Sequence, residues 1–165
     1  MLSSGSLSPS PRLAEAYTLR LQAYKDFATV AELQEGSKFE PGAEVRKRLE
    51  TASEKMRALF LCLLAIIQHR ADLRPDAVPE PLRETAARFR TTLANMLDNL
   101  SDRLAGRAER PVADVQAALA ELEQTIATQI NGVRDTTLAA QIRGRLALYQ
   151  EATPIAVELA RLLLK

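Results

Sequence analysis

The chain has one cysteine, one histidine and no tryptophan among its 165 residues. A single cysteine, Cys62, excludes an intrachain disulfide and a cysteine metal cluster. Its neighbours Leu61, Leu63 and Leu64 mark it as a buried, inert thiol rather than a nucleophile, which fits a reducing compartment. The single His69 has Ala65, Ile66, Asp72 and Leu73 three and four places away, so no Glu-x-x-His or His-x-x-x-His metal pair exists. It reads as a structural or surface histidine. The small residues and lysine that follow the histidine of a phosphotransfer domain are missing as well. No metal or cofactor is expected. Excess charge of one sign is also lacking: 22 basic residues face 21 acidic ones, for a net charge of +1. That leaves no field to attract nucleic acid or an anionic membrane.

Long apolar stretches are absent too. The run "ALFLCLLAII", Ala58 to Ile67, has ten residues, against the roughly 18 to 20 that a membrane-spanning helix needs. The N-terminal "MLSSGSLSPSPR" has neither a basic start nor an apolar centre. It is no signal peptide, and residues 1–10 read as a flexible tail.

What remains is rich in Ala and Leu, with aromatics at only 4%. Ala and Leu lead the helix propensities, whereas strands favour β-branched and aromatic side chains. The fold class expected is all-α. With hydrophobic residues at 47%, residues 11–165 are expected to form one domain with a sizeable core.

Apolar spacing then places the helices. A first helix, about Pro11 to Gln34 with Ser10 as cap, carries a seam of Ala14, Tyr17, Leu21, Tyr24, Ala28 and Ala31. The loop "EGSKFEPGA", Glu35 to Ala43, follows. A second helix, about Ala43 to Leu73, has Val45, Leu49, Ala52, Met56, Leu59, Leu63 and Ile66 in register. From Ala58 onward Phe60, Leu61, Leu64 and Ile67 add apolar surface around nearly its whole circumference. A helix apolar all round is one surrounded by others, so this half is expected to be the central core helix.

Three prolines in "DLRPDAVPEP" end that helix, and Pro79 or Pro81 starts a third, about Glu80 to Ala105, with Gly106 at its C-cap. A fourth is expected from about Pro111 to Ile130, its seam running from Val112 to Ile130, with a break at Asn131-Gly132. A fifth runs from about Val133 to Glu151, and Thr153-Pro154 caps a last short helix ending "ARLLLK". Short connections between long amphipathic helices favour an antiparallel bundle, here of five to six helices.

Chemistry is harder to find. There is no phosphate-binding Gly-x-x-x-x-Gly-Lys loop and no Gly-x-Ser-x-Gly elbow. Carboxylates alternate with arginines at helical spacing, as in "EPLRETAARFR", the pattern of surface pairs. The chain reads as no enzyme, and no catalytic, cofactor-binding or metal-ligating residue is nominated. One reading is a helical interaction or adaptor protein, since the adjacent Leu162, Leu163 and Leu164 cannot all face one core. Another is the four-helix ligand-sensing domain of a bacterial receptor, with Tyr17, Tyr24 and Tyr149 as loose pocket candidates.

The segment "MRALFLCLLAIIQHRADLRPDAVPEPLRETAARFRTTLANMLDNLSDRLAG", Met56 to Gly106, resembles the helical region of the FUSC (fusaric acid resistance) family of bacterial inner-membrane proteins. "RLAEAYTLRLQAYKDF", Arg12 to Phe27, is similar to the helix such proteins place just after a membrane segment. The resemblance implies an excised, soluble cytoplasmic domain of a transport-related efflux protein. Its partners would be membrane-embedded helices of the same protein or another copy of itself, with a small aromatic acid as a possible ligand. It nominates no site residues.

Overall fold

A computed structural model describes the backbone of residues 11–36, 42–71 and 75–164, and their side chains except at 11–16, 34, 69–71 and 75. The expected tail at residues 1–10 and the Ser10 cap lie outside the described residues, as does most of the loop after the first helix. The fold is all-α: α1 (Pro11–Gly36), α2 (Ala43–Ala71), α3 (Glu80–Leu104), α4 (Val115–Gln129) and α5 (Thr136–Leu163), with 3-10 turns at Pro75–Ala77 and Ile130–Gly132. No strand occurs among the described residues. The chain divides into two units, Met1–Ser53 and Glu54–Lys165.

In the first unit α1 carries no fully buried side chain among those described. Its expected seam faces outward: Tyr17, Leu21, Tyr24, Ala28 and Ala31 are exposed, and the half-buried face is Ala23, Phe27 and Val30. Alanine at 28 and 31 offers little apolar area on the predicted seam, whereas Phe27 and Val30 offer more on the face that is used.

The second unit is an up-down-up-down bundle. Lys55 Nζ donates to Glu158 Oε2 across α2 and α5 at 2.6 Å, and Tyr149 shares a groove with Leu63 and Ile66. The sequence numbers therefore run in opposite senses along the two helices. Arg88 reaches Glu121 at 2.5 Å, and the backbone N–H of Arg110 donates to Asn99 Oδ1 at 2.9 Å, so α3 and α4 are antiparallel as well. Gln150 Nε2 donates to Glu123 Oε1 at 2.7 Å and sets α5 antiparallel to α4. Exposed pairs of this kind add little stability, about 0–1 kcal/mol each. Their value here is that they mark register.

Apolar burial stabilises the bundle far more than these pairs do. Phe89 is 0% exposed, and its ring centre lies 4.7 Å from that of Tyr149, tilted by 50°. Around this pair Leu59, Ile66, Leu82, Leu93, Leu122, Ile126, Ile142 and Leu159 are buried. A tilted aromatic pair is favoured by its quadrupoles beyond the area it buries.

The helix ends depart from expectation in three places. α4 begins at Val115 instead of Pro111, because Asp114 caps it: its Oδ1 accepts from the backbone N–H of Gln116 at 2.8 Å and of Ala117 at 3.3 Å. α5 begins at Thr136 instead of Val133, with Asp135 accepting from Thr137 at 2.9 Å and Leu138 at 3.1 Å. Each cap satisfies orphan N–H groups that a helix start leaves open. The separate last helix does not exist, for α5 runs straight through Pro154. The ring faces solvent there, while Ala152, Thr153 and Ala156 stay buried against the bundle. Packing on both sides of the proline outweighs its local cost of about 3 kcal/mol. Thr153 supplies an extra bond, its Oγ1 donating to the Tyr149 carbonyl at 2.8 Å. The turn at Asn131-Gly132 is where it is expected, and the expected end of α2 at Leu73 lies outside the described residues.

Gly106 closes α3 with a φ of 72°. Its N–H donates to the Arg103 carbonyl at 3.0 Å, and that of Arg107 donates to the Asp102 carbonyl at 2.8 Å. These two bonds form a Schellman cap, which requires a left-handed residue at this point.

Candidate functional site

The sequence predicts that the later turns of α2 are wrapped on every side, and they are not. Leu59, Cys62 and Ile66 face the core and are buried. Leu61 is 53% exposed and Ile67 52% exposed, with Phe60, Leu63 and Leu64 half-buried. At about 100° per residue, Phe60, Leu64 and Ile67 share one side of the helix and Leu61 sits just beyond them. The result is an open apolar strip flanked by the exposed Arg57 and Gln68. Sequence shows that these side chains favour burial. It does not show whether a neighbour is present to bury them.

Beside the strip, between α2 and α3, lies a groove of about 240 Å³. Leu63, Ile66 and Ile67 line it from α2, Arg90, Leu93, Ala94 and Leu97 from α3, and Tyr149 from α5. Tyr149 also lines a second cavity, with Leu82, Leu122, Ile126 and Ile142 among others. That cavity has a volume of only about 40 Å³, enough for a few waters and no ordinary substrate. The groove offers more space than this core cavity.

Of the residues singled out from sequence, Tyr149 is the one placed at both cavities. Tyr17 and Tyr24 are exposed on α1, the latter with the Arg20 guanidinium 5.6 Å from its ring centre. His69 lies on α2, but its side chain is outside the described residues. Leu162, Leu163 and Leu164 are all half-buried at the end of the bundle. Cys62 is buried, as expected, and burial pushes its thiol above the ordinary range, with the Glu151 carboxylate adding to the shift. A thiol so placed stays protonated at neutral pH and is a poor nucleophile.

The polar groups of this unit are largely engaged in structure. Buried Thr85 donates through Oγ1 to the Pro81 carbonyl at 2.8 Å and accepts from Arg88 at 3.2 Å. Asp102 holds both Arg107, at 2.8 Å, and Arg110, while Arg103 reaches Glu109 at 3.1 Å. These ion pairs clasp the connection from α3 to α4. Groups of three or more His, Cys, Asp or Glu side chains able to hold a metal do not occur among the described residues. No helix in the described residues is long and apolar enough to cross a membrane.

The features that stand out are therefore an open apolar strip and a neighbouring groove lined mainly by aliphatic side chains, on an all-helical domain. No protein-family model, curated protein or solved structure matches the chain.

Proposed function

We propose that the chain is a non-catalytic docking domain that works by seating the α2 strip against another apolar helix surface. The observation that carries this reading is the strip itself: Phe60, Leu61, Leu64 and Ile67, incompletely covered within a helix whose opposite face anchors the core. Contiguous exposed apolar surface rimmed by polar residues is characteristic of interaction sites. The two natural occupants are a second copy of the chain and the membrane-embedded helices of a larger protein. The likeness of Met56 to Gly106 to the FUSC family favours a domain of a bacterial inner-membrane efflux protein, on its cytoplasmic side.

Two measurements test the two levels of the proposal. Light scattering over a range of concentrations is expected to show self-association that Leu61→Glu with Leu64→Glu abolishes while helicity is retained. A monomer at every concentration, unaffected by these changes, overturns self-docking. For the efflux reading, the natural open reading frame is expected to continue into hydrophobic spans. A natural chain ending at Lys165 would remove it.

A further inference from the structure

The open side of α2 carries a pattern that is matched to itself when the helix is reversed. Glu54, Arg57, Leu61, Leu64 and Gln68 follow at steps of three and four, which brings them to one line down the helix. Phe60 and Ile67 flank that line on one side, and Ala58 and Ala65 flank it on the other. Arg57, Leu61 and Gln68 are exposed, and Leu64 is half-buried. Two leucines thus hold the centre of the line, with a polar side chain one turn beyond each of them.

Two such helices can meet along this line in two senses. Parallel and in register, each residue meets its own copy, so Arg57 faces Arg57 and Glu54 faces Glu54. Like charges so placed repel. Antiparallel, with a twofold axis between Leu61 and Leu64, each Leu61 meets Leu64 of the other copy. Each Phe60 then meets Ile67 of the other copy on one flank. On the other flank Ala58 faces Ala65, and their small side chains let the two backbones approach. Arg57 comes to Gln68, whose side-chain oxygen accepts from a guanidinium. Along the line every strip residue gains an apolar neighbour and no charge meets its like. A twofold interface needs one patch complementary to itself, and the antiparallel register supplies it. A helix face suited to hydrocarbon offers little to the Arg57 and Gln68 at the two ends.

We propose that the occupant of the α2 strip is the same strip of a second copy, paired antiparallel about a twofold axis between Leu61 and Leu64. This rests on the docking reading and specifies its partner. The apolar area sets the strength of the pairing. Half-exposed side chains of this size keep on the order of 50 Å² each, so four bring roughly 200 Å² per copy, against about 800 Å² per partner in a standard stable interface. The dimer therefore forms at high protein concentration and dissociates on dilution.

Disulfide trapping in a Cys62→Ala background reads the sense of the pairing. Arg57 and Gln68 lie eleven residues apart, about 16 Å along a helix. A disulfide needs Cα atoms within about 7 Å. Under mild oxidation at high protein concentration, Arg57→Cys chains mixed with Gln68→Cys chains are expected to form a covalent heterodimer. Neither chain alone is expected to cross-link to itself, and Leu61→Glu with Leu64→Glu in both chains should abolish the heterodimer while circular dichroism shows retained helicity. Self-cross-linking of Arg57→Cys at the yield of the mixture would mean a parallel pair and overturn the proposal. Absence of the heterodimer, or its survival in folded chains carrying the two glutamates, would overturn it as well. The docking reading fails separately, if thiols placed at 61 and 67 of the monomer label with maleimide as slowly as thiols at 59 and 66.

Discussion

Leu59 and Leu61 are the same residue type, two positions apart on one helix, and they are expected to respond to alanine quite differently. Leu59 is 5% exposed and faces the core, whereas Leu61 is 53% exposed about 200° further round the helix. Leu59→Ala removes buried methyl groups and leaves a cavity, a combination that costs about 2–5 kcal/mol. Leu61→Ala removes surface that is already half in water, and alanine's higher helix propensity offsets part of that loss. Its net effect is expected within about 1 kcal/mol of zero. The difference between the two, about 1 kcal/mol or more, corresponds to roughly 0.5 M or more in the urea midpoint at a slope of about 2 kcal/mol per M. Against a total stability of about 5–15 kcal/mol, Leu59→Ala would be conspicuous and Leu61→Ala nearly silent. Urea unfolding followed by circular dichroism reads both at a protein concentration low enough to avoid assembly. Equal destabilisation by the two substitutions would refute the assignment of an inner and an outer face to this part of α2.

Other consequences follow from single groups. Asp114→Ala and Asp135→Ala each remove a side-chain cap and should cost about 0.5–2 kcal/mol, with Asn at either position retaining most of the stability in thermal melts. Gly106→Ala should cost about 1 kcal/mol through its φ of 72° alone, because a Cβ there meets nothing within 4 Å. The Cys62 thiol, raised chiefly by burial, should react slowly with thiol reagents in the native protein and fully once it is unfolded. Its protonated form is favoured by folding, so the stability tied to this group is intact below the unfolded value of 9.0 and falls as pH rises through the raised native value. Urea midpoints on Cys62→Ala, compared with the parent chain on either side of that pH, isolate the contribution.

How much of this is legible in the sequence differs from helix to helix. α3 is visible almost to the residue, because Pro79, Pro81 and Gly106 punctuate a regular apolar seam. The start of α4 is misleading: Pro111 and Val112 fit the rules for a first turn, but Asp114 accepts from the N–H groups of Gln116 and Ala117 and caps the helix three residues later. At Pro154 the local rules favour a break, and the buried Ala152, Thr153 and Ala156 override them through contacts distant in sequence. The α1 seam fails for a related reason, since spacing alone does not tell Ala28 and Ala31 from the bulkier Phe27 and Val30. The groove is out of reach altogether. Leu63, Ile66 and Leu93 fall on the apolar seams of their own helices, and only the space between α2 and α3 makes a groove of them.

That α2 presents one covered and one open side is measured most directly by thiol accessibility. In a Cys62→Ala background, single changes Leu59→Cys, Leu61→Cys, Ile66→Cys and Ile67→Cys are each treated with a maleimide at low protein concentration. Fast labelling at 61 and 67 with slow labelling at 59 and 66 is the pattern expected. Uniformly slow labelling at all four positions, in a folded monomer, would contradict it and restore a helix enclosed on every side.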